Sequence, residues 1–359
     1  MFNIVDRYIA RNVIVTVIYC TIGLVLLACL IKFVDQIRSI GKGEFDSFAC
    51  FQYIMYQVPS QIFMFFPLGV LLGTVLALGN LASSSELIVM QSLGKSKLSI
   101  VFSACKGVIP LIVGVMLMGE QVIPHAELFA ENLRSVAVSG GNVAVTSRGM
   151  WVRDNNSFIY IDIQNTNGEL VNLFRYDFTY DTPRKLIVEK RAHTATWNDS
   201  EKKWIANNVE SVYFTDEKVS KQFNKKEVWN LTFTPNELEI FAVDVNNMSI
   251  KGLSEYIQYL TDNGIKSEKY LIQLYRKILM PLTVFAVLIL AASTVFGPLR
   301  SSSIGARVVV GIVFGFSFYA TNEIISPFSI YYGLPPIFGS LAPTILVLGL
   351  GIYILGRRT

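Results

Sequence analysis

Long apolar runs occupy both ends of the chain, and a segment with a different pattern separates them. Six runs reach the roughly 20 residues that a helix needs to cross a bilayer. They cover residues 13–31, 61–81, 100–123, 278–296, 306–325 and 337–355. The pattern predicts a membrane α-helical protein with six transmembrane helices, three on each side of the central segment. Pro59 and Pro67 predict a kink or a break in the second helix.

Short stretches of alternating apolar and polar residues fill the central segment. The strand-like stretches are residues 158–163, 170–180, 186–190, 209–214 and 228–233. Strands of this length, separated by turn-forming residues, are typical of a sandwich, barrel or jelly roll. We therefore predict transmembrane helices in residues 1–125, an inserted all-β jelly roll in 126–269 and transmembrane helices in 270–359. Residues 127–138 and 254–277 are predicted to be helical flanks of the β domain.

Composition supports a membrane protein and excludes several kinds of site. Of the 359 residues, 52% are hydrophobic and only 16% are charged, whereas soluble domains are about 25% charged. A net charge of +4 is too small to indicate nucleic-acid binding. Four cysteines and two histidines form no metal motif or disulfide framework. We predict no catalytic residue, no metal site and no cofactor bound by this chain.

Lysine and arginine are unevenly distributed among the short loops. The basic pairs on one side are Arg7 and Arg11, Lys95 and Lys97, Arg300 and Arg307, and Arg357 and Arg358. Basic residues accumulate on the cytoplasmic side of bacterial membrane proteins. The distribution predicts that both termini are cytoplasmic and that the β domain lies outside.

A short amphipathic helix is predicted at about residues 84–94, in the cytoplasmic loop after the second span. Ser84 or Ser85 is a candidate N-cap, and Gly94 is expected to end the helix. Leu87, Ile88 and Met90 would form its apolar face. Two interpretations stay open: the helix binds a cytoplasmic partner through Glu86, or it lies on the membrane interface.

Three basic residues lie near the predicted outer surface of the membrane. Lys32, Arg38 and Arg134 could form a rim that attracts anionic lipid headgroups. The alternative is ordinary snorkelling of long side chains at helix ends.

Several short motifs, taken in order along the whole chain, resemble one known family. They are residues 31–36 (IKFVDQ), 65–67 (FFP), 85–91 (SELIVMQ), 296–300 (FGPLR) with Arg307, 311–316 (GIVFGF) and 333–336 (GLPP). Together they are similar to the lipopolysaccharide export permeases (LptF/LptG), with the closer likeness to the LptG branch.

The resemblance implies a permease subunit of an ATP-driven exporter in the inner membrane of a Gram-negative bacterium. Such a subunit extracts lipopolysaccharide from the outer leaflet and passes it to a periplasmic bridge. The implied partners are a cytoplasmic LptB-like ATPase dimer that uses the ATP, a second LptF-like permease, a single-span LptC-like subunit and a periplasmic bridge protein. A membrane-anchored scaffold or sensor with a partner-binding β domain is the alternative function.

The resemblance also implies roles for particular residues. Glu86 would be the acid of a coupling helix that meets the ATPase, with Leu87, Met90 and Gly94 in the same helix. Lys32 and Arg134 would bind the phosphates of lipid A, and Phe65 would line an apolar cavity. Arg38 belongs to the same basic rim. Ser39 and Glu131 stand where the family pattern has basic residues.

The β domain of such an exporter would need an apolar interior for acyl chains. Phe174, Tyr176, Phe178 and Tyr180 alternate along one predicted strand and were the expected lining. A plain closed core is the alternative.

Overall fold

The structure is a computed structural model that describes residues 4–139, 150–154, 156–164, 168–179, 184–215, 218–231, 233–235, 238, 244–296 and 303–356. Its helices are α1 (Ile4–Gln36), α2 (Ser47–Ser83), α3 (Glu86–Ser92), α4 (Lys97–Leu117), α5 (Ile123–Ser139), α6 (Ile250–Asp262), α7 (Glu268–Ile278), α8 (Met280–Val295), α9 (Ile304–Tyr331) and α10 (Pro336–Gly356). A 3-10 turn, Ile37–Ser39, follows α1, and a π-helical turn, Met118–Val122, joins α4 to α5. The basic residues Arg300, Arg357 and Arg358 lie outside the described residues.

Five helical stretches are long and apolar enough to cross a membrane, and a sixth candidate is bent. The third stretch, Lys97–Val138, includes the predicted helical flank 127–138. The fourth span of the predicted order consists of α7 and α8, which meet at an angle of 61°. The three-plus-three arrangement is confirmed when this bent pair is counted as one span.

Helix α2 runs as one helix through Pro59 and Pro67, so of the predicted kink or break the structure excludes the break. Each proline removes one backbone hydrogen bond. Helix α2 nevertheless packs against α1, α5, α8 and α9. This packing on several sides holds the helix continuous despite the two prolines.

Two glycines of α2 let its backbone lie close to α1. A Cβ at Gly73 would lie 2.5 Å from the Cα of Val17, and one at Gly69 would lie 2.1 Å from the Thr21 hydroxyl oxygen. Small residues at helix crossings allow close approach inside membranes. The first two helices therefore form one tightly packed pair.

The inserted domain is confirmed as all-β and contains one antiparallel sheet. Its strands are β1 (Met150–Asp154), β2 (Ser157–Gln164), β3 (Leu170–Phe178), β4 (Leu186–Asn198), β5 (Lys203–Phe214) and β6 (Val219–Trp229). They pair in sequence order, as an open meander. Among the described strands there is no Greek-key crossover, and they form an open antiparallel sheet.

Several boundaries differ from the prediction, including those of the last described strand and of the helical flank 254–277. The last strand ends at Trp229 and begins at Val219, so the predicted strand 228–233 is displaced. Most side chains between Val219 and Trp229 are exposed. The strand therefore lacks the alternation of apolar and polar residues by which strands are predicted. The helical flank 254–277 is two helices, because Gly264 adopts a left-handed conformation (φ +63°) after α6.

Aliphatic side chains, alanines and two tryptophans face the core of the sheet, and the expected aromatic residues of β3 do not. Buried side chains include Ile159, Ile161, Leu173, Ala192, Val209, Trp204 and Trp229. Trp151, Tyr160 and Phe174 are direct neighbours across β1–β3 on the opposite face. Their successive ring centres are 5.2 and 6.1 Å apart.

The same correction applies to the other members of the expected lining. Tyr176 lies on the aromatic face and stacks on Trp151, Phe178 is only partly buried, and Tyr180 lies outside the described residues. Both sets of positions alternate with period two, so spacing alone could not tell which set was buried.

Candidate functional site

Gln57 lies at the centre of a polar cluster where α1, α2 and α5 meet. The Lys32 ammonium donates a hydrogen bond to Gln57 Oε1 (2.7 Å). Gln57 Nε2 donates to the Tyr53 hydroxyl (3.0 Å) and to Glu127 Oε2 (3.3 Å). Gln57 and Glu127 are each 6% exposed. Lys32 is therefore held by an amide that also binds a buried carboxylate.

Arg134 and Glu131 complete this arrangement. The Arg134 guanidinium lies 5.9 Å from the centre of the Tyr53 ring, within the range of a cation–π contact. Glu131 interacts electrostatically with Lys32 and Tyr53. We call this set the three-helix polar cluster: Lys32, Tyr53, Gln57, Glu127, Glu131 and Arg134.

The other two predicted lipid-binding residues lie outside the cluster. Arg38 is exposed in the turn Ile37–Ser39, one to two turns beyond Lys32. Phe65 is half-buried on α2, eight residues after Gln57 and thus about 12 Å further along the helix. The structure places Lys32, through Gln57, and Arg134, over the Tyr53 ring, in one cluster, but leaves Arg38 and Phe65 outside it.

Glu86 begins α3 and is bound on both carboxylate oxygens. The Tyr8 hydroxyl donates to Oε2 (2.8 Å), and the Ser84 hydroxyl donates to Oε1 (2.9 Å). Ser85 precedes the helix in a left-handed conformation (φ +64°) and makes no side-chain cap. The expected serine cap is therefore wrong: Ser84 binds the Glu86 carboxylate instead of a backbone amide.

The apolar residues of α3 divide between the core and the surface. Leu87 is 3% exposed, and Met90 packs beside it in the helical core. Ile88, Val89 and Leu93 are exposed. The predicted single apolar face of Leu87, Ile88 and Met90 is therefore divided, because residues three apart lie on the same side of a helix and adjacent residues do not.

The end of α3 is built as predicted. Gly94 has a left-handed conformation, with φ +89°. Its amide donates to the Gln91 carbonyl, and the Lys95 amide donates to the Met90 carbonyl. These bonds satisfy carbonyls at the helix end, which is the usual role of a terminal glycine.

Helix α1 also contacts the loop after α3 through Asp6. The Lys95 ammonium donates to Asp6 Oδ1 at 2.8 Å, and the Ser103 hydroxyl donates to the same oxygen at 2.9 Å. Asp6 and Tyr8 are functional candidates that the sequence interpretation missed. Their signal was weak: two polar residues spaced by two at the start of an apolar helix.

A further polar junction links the π-helical turn and α7 to the segment that begins α6. The Glu120 carboxylate, in the π-helical turn, accepts from the amides of Ile250 (2.8 Å) and Lys251 (3.2 Å) at the start of α6. The buried Lys277 ammonium donates to the Met248 carbonyl and lies 5.5 Å from the Phe63 ring. A carboxylate at a helix N-terminus is stabilised by the exposed amides and the helix dipole.

The described part of the chain contains no group of three or more histidine, cysteine, aspartate or glutamate side chains that could hold a metal ion. The polar groups that do converge are ion pairs and amide bridges, which suit anchoring and recognition of charged ligands.

Comparison with known proteins decides the family. The family described as "Lipopolysaccharide export system permease LptF/LptG" matches residues 7–357. The chain belongs to this family.

Relatives of this permease agree over its full length. Lipopolysaccharide export system permease protein LptG of Escherichia coli (strain K12) is 36% identical over 359 residues, which cover 100% of this chain and 99% of the relative. LptG of Haemophilus influenzae (strain ATCC 51907 / DSM 11121 / KW20 / Rd) is 36% identical over 358 residues with the same coverage. The resemblance to the LptG branch is confirmed. The chain is a permease component and not itself a catalytic enzyme.

Proposed function

We propose that this permease is the LptG-type subunit of an ATP-driven lipopolysaccharide exporter, and that a separate cytoplasmic ATPase dimer supplies the energy. The chain itself would bind no cofactor. The observation that carries the proposal is the surface of α3, where Glu86 adjoins the exposed side chains of Ile88, Val89 and Leu93. An exposed apolar patch beside a charge suits a protein partner.

The charge pattern of the loops supports the topology of the proposal. Arg7 and Arg11 precede the first membrane helix, and Lys95 and Lys97 flank the start of α4, on the same side as α3. With positive residues inside, both termini and α3 would face the cytoplasm. The β domain would then lie in the periplasm, where the partners would be a second permease, an LptC-like subunit and a bridge protein.

The substrate requires a path that keeps its acyl chains covered. Each CH₂ moved from lipid to water costs about 0.8 kcal/mol. Six chains of about a dozen carbons therefore cost roughly 50 kcal/mol or more if they are exposed together. A cavity between membrane helices that leads to a β domain avoids this cost.

The proposed headgroup site uses the cations at the outer end of the helices. Lys32 and Arg134 would bind the lipid phosphates, since both lie in the three-helix polar cluster. Arg38 would attract the headgroup from its exposed turn. Phe65 would contact acyl chains deeper in the membrane.

The proposed cycle has three steps. Lipopolysaccharide enters from the outer leaflet while the cations hold its headgroup. ATP then closes the ATPase dimer, and the movement reaches the helices through α3 and its Glu86 contact with α1. The cavity narrows, the lipid moves toward the β domain, and hydrolysis resets the exporter.

Co-purification in mild detergent tests this function. Wild-type chain should recover an ATPase and a second permease, whereas Glu86→Arg should lose the ATPase and keep the permease. Glu44→Arg is the matched control, because Glu44 is an exposed acid in the loop between α1 and α2. If the wild type purifies with no ATPase, the exporter proposal is wrong and a scaffold or sensor that uses the β domain takes its place.

A further inference from the structure

The three-helix polar cluster is balanced in charge. Its cations are Lys32 and Arg134, and its acids are Glu127 and Glu131. A site that only attracted phosphates would expose its cations without nearby acids. Here the acid bridged to Lys32 is more deeply buried than Lys32 itself, since Glu127 is 6% exposed and Lys32 is only partly buried.

The donors and acceptors around Gln57 fix the orientation of its amide group between Lys32 and Glu127. Lys32 has only hydrogen atoms to donate, so Gln57 must present its amide oxygen to it. The amide nitrogen of Gln57 then faces Glu127 and Tyr53, both of which accept. The chain Lys32–Gln57–Glu127 is therefore a polarised link from a partly exposed ammonium to a buried carboxylate.

We propose that Glu127, acting through Gln57, is the resident counter-ion of Lys32 that an anionic lipid headgroup must displace, and that it thereby limits how tightly the headgroup is held. This inference rests on the proposed function and names two positioning residues for the headgroup site. The class of ligand is a phosphorylated lipid.

A phosphate that binds at such a site replaces Gln57 as the hydrogen-bond partner of Lys32. When Lys32 turns to a phosphate, Gln57 Oε1 loses its donor, and the negative Glu127 repels the incoming anion. Both costs reduce affinity. Both are recovered when the headgroup leaves and Lys32 returns to Gln57. Because an exporter has to release its substrate, a weakened site favours onward transfer.

Removal of the Glu127 charge should therefore change headgroup affinity in the direction opposite to that of a structural disturbance. Glu127→Gln removes the charge but keeps hydrogen-bonding capacity, so headgroup binding should become about five- to tenfold tighter. Gln57→Glu places a carboxylate directly against Lys32 and should weaken binding by a similar factor. A purely structural disturbance would weaken binding in both variants.

The test uses the intact exporter complex in nanodiscs without nucleotide, titrated with purified lipopolysaccharide, followed by ATP-dependent lipid release. We expect Glu127→Gln to bind more tightly and to release more slowly, while Glu44→Gln, in the exposed loop, behaves as wild type. In the Lys32→Gln background, Glu127→Gln should tighten binding less than it does in the wild type, because no ammonium is then released from its counter-ion.

The possible failures are separable. Unchanged or weaker binding in Glu127→Gln, or equal tightening with and without Lys32, overturns the counter-ion role. If Glu127→Gln does not assemble, Gln57→Glu carries the test, and unchanged binding in that variant overturns it. Unchanged binding in Lys32→Gln alone removes the headgroup role of Lys32 and with it that part of the proposed function.

Discussion

Tyr8 donates a hydrogen bond to the Glu86 carboxylate across 2.8 Å, so the first membrane helix is fastened to the short helix α3. The two residues are 78 positions apart in the chain. A second contact of α1 is the ion pair between Asp6 and Lys95, which lies in the loop after α3. Movement of α3 therefore has a direct connection to α1.

Removal of the Tyr8 hydroxyl should weaken that connection without preventing assembly. We expect Tyr8→Phe to retain the ATPase but to release about two- to threefold less lipid per ATP hydrolysed, equivalent to roughly 0.5 kcal/mol for an exposed hydrogen bond. Tyr19→Phe is the control, because Tyr19 lies on α1 with an exposed side chain. Equal coupling in both variants would show that the bond transmits nothing.

The Asp6 carboxylate should contribute to stability because it is shielded. It binds the ammonium of Lys95 and the hydroxyl of Ser103. Asp6→Asn should lower the free energy of unfolding by about 1–2 kcal/mol, measured as the thermal midpoint in detergent. Asp35→Asn, at an exposed acid of the same helix, should leave the midpoint unchanged. A larger loss in Asp35→Asn would contradict the assignment.

Contact between α1 and α2 depends on the missing side chain at Gly73. A Cβ there would lie 2.5 Å from Val17 Cα, so Gly73→Ala must separate the helices. Overpacking of this kind costs about 1–3 kcal/mol, which thermal unfolding of the purified permease would detect. Gly114→Ala is the matched control, since a Cβ at Gly114 meets nothing within 4 Å. Equal stability of the two variants would refute close packing at Gly73.

Trp204 should stabilise the β domain far more than Trp151. The Trp204 side chain is fully buried, and its indole nitrogen donates to the Phe233 carbonyl at 2.9 Å. Trp204→Ala should cost about 3–5 kcal/mol and make the domain of the full-length protein sensitive to protease. Trp151→Ala, on the opposite face of the sheet and 61% exposed, should remain resistant. If protease cleaved both variants at the same rate, the assignment of the Trp204 face as the core of the sheet would be wrong.

The features that could be predicted from the sequence depend either on the mean hydropathy of a long segment or on local backbone conformation. Apolar runs of bilayer length identified the membrane helices, and Gly94 marked the end of α3 because glycine tolerates positive φ. Lys32 was predicted near a polar surface from its place at the end of an apolar run.

The partners of these residues could not be predicted in the same way. Gln57 and Glu127 are 25 and 95 positions from Lys32, and only the packing of three helices brings them together. The buried face of the sheet posed a similar problem, because both faces carry apolar residues. Ala192 and Trp204, whose side chains differ greatly in size, are both fully buried in the same core, and such packing depends on volumes and not on period.

Helix α1 is continuous, so a small rotation about one of its ends produces a large displacement at the other end. From Tyr8 to Lys32 the helix rises 24 residues, or about 36 Å at 1.5 Å per residue. A tilt of about 5° about the Tyr8 end therefore displaces the Lys32 end by about 3 Å, which exceeds the 2.7 Å length of the bond from Lys32 to Gln57. An angular movement that displaces the Tyr8 end very little is thus amplified, by length alone, into the making or breaking of one hydrogen bond near the other end of the helix.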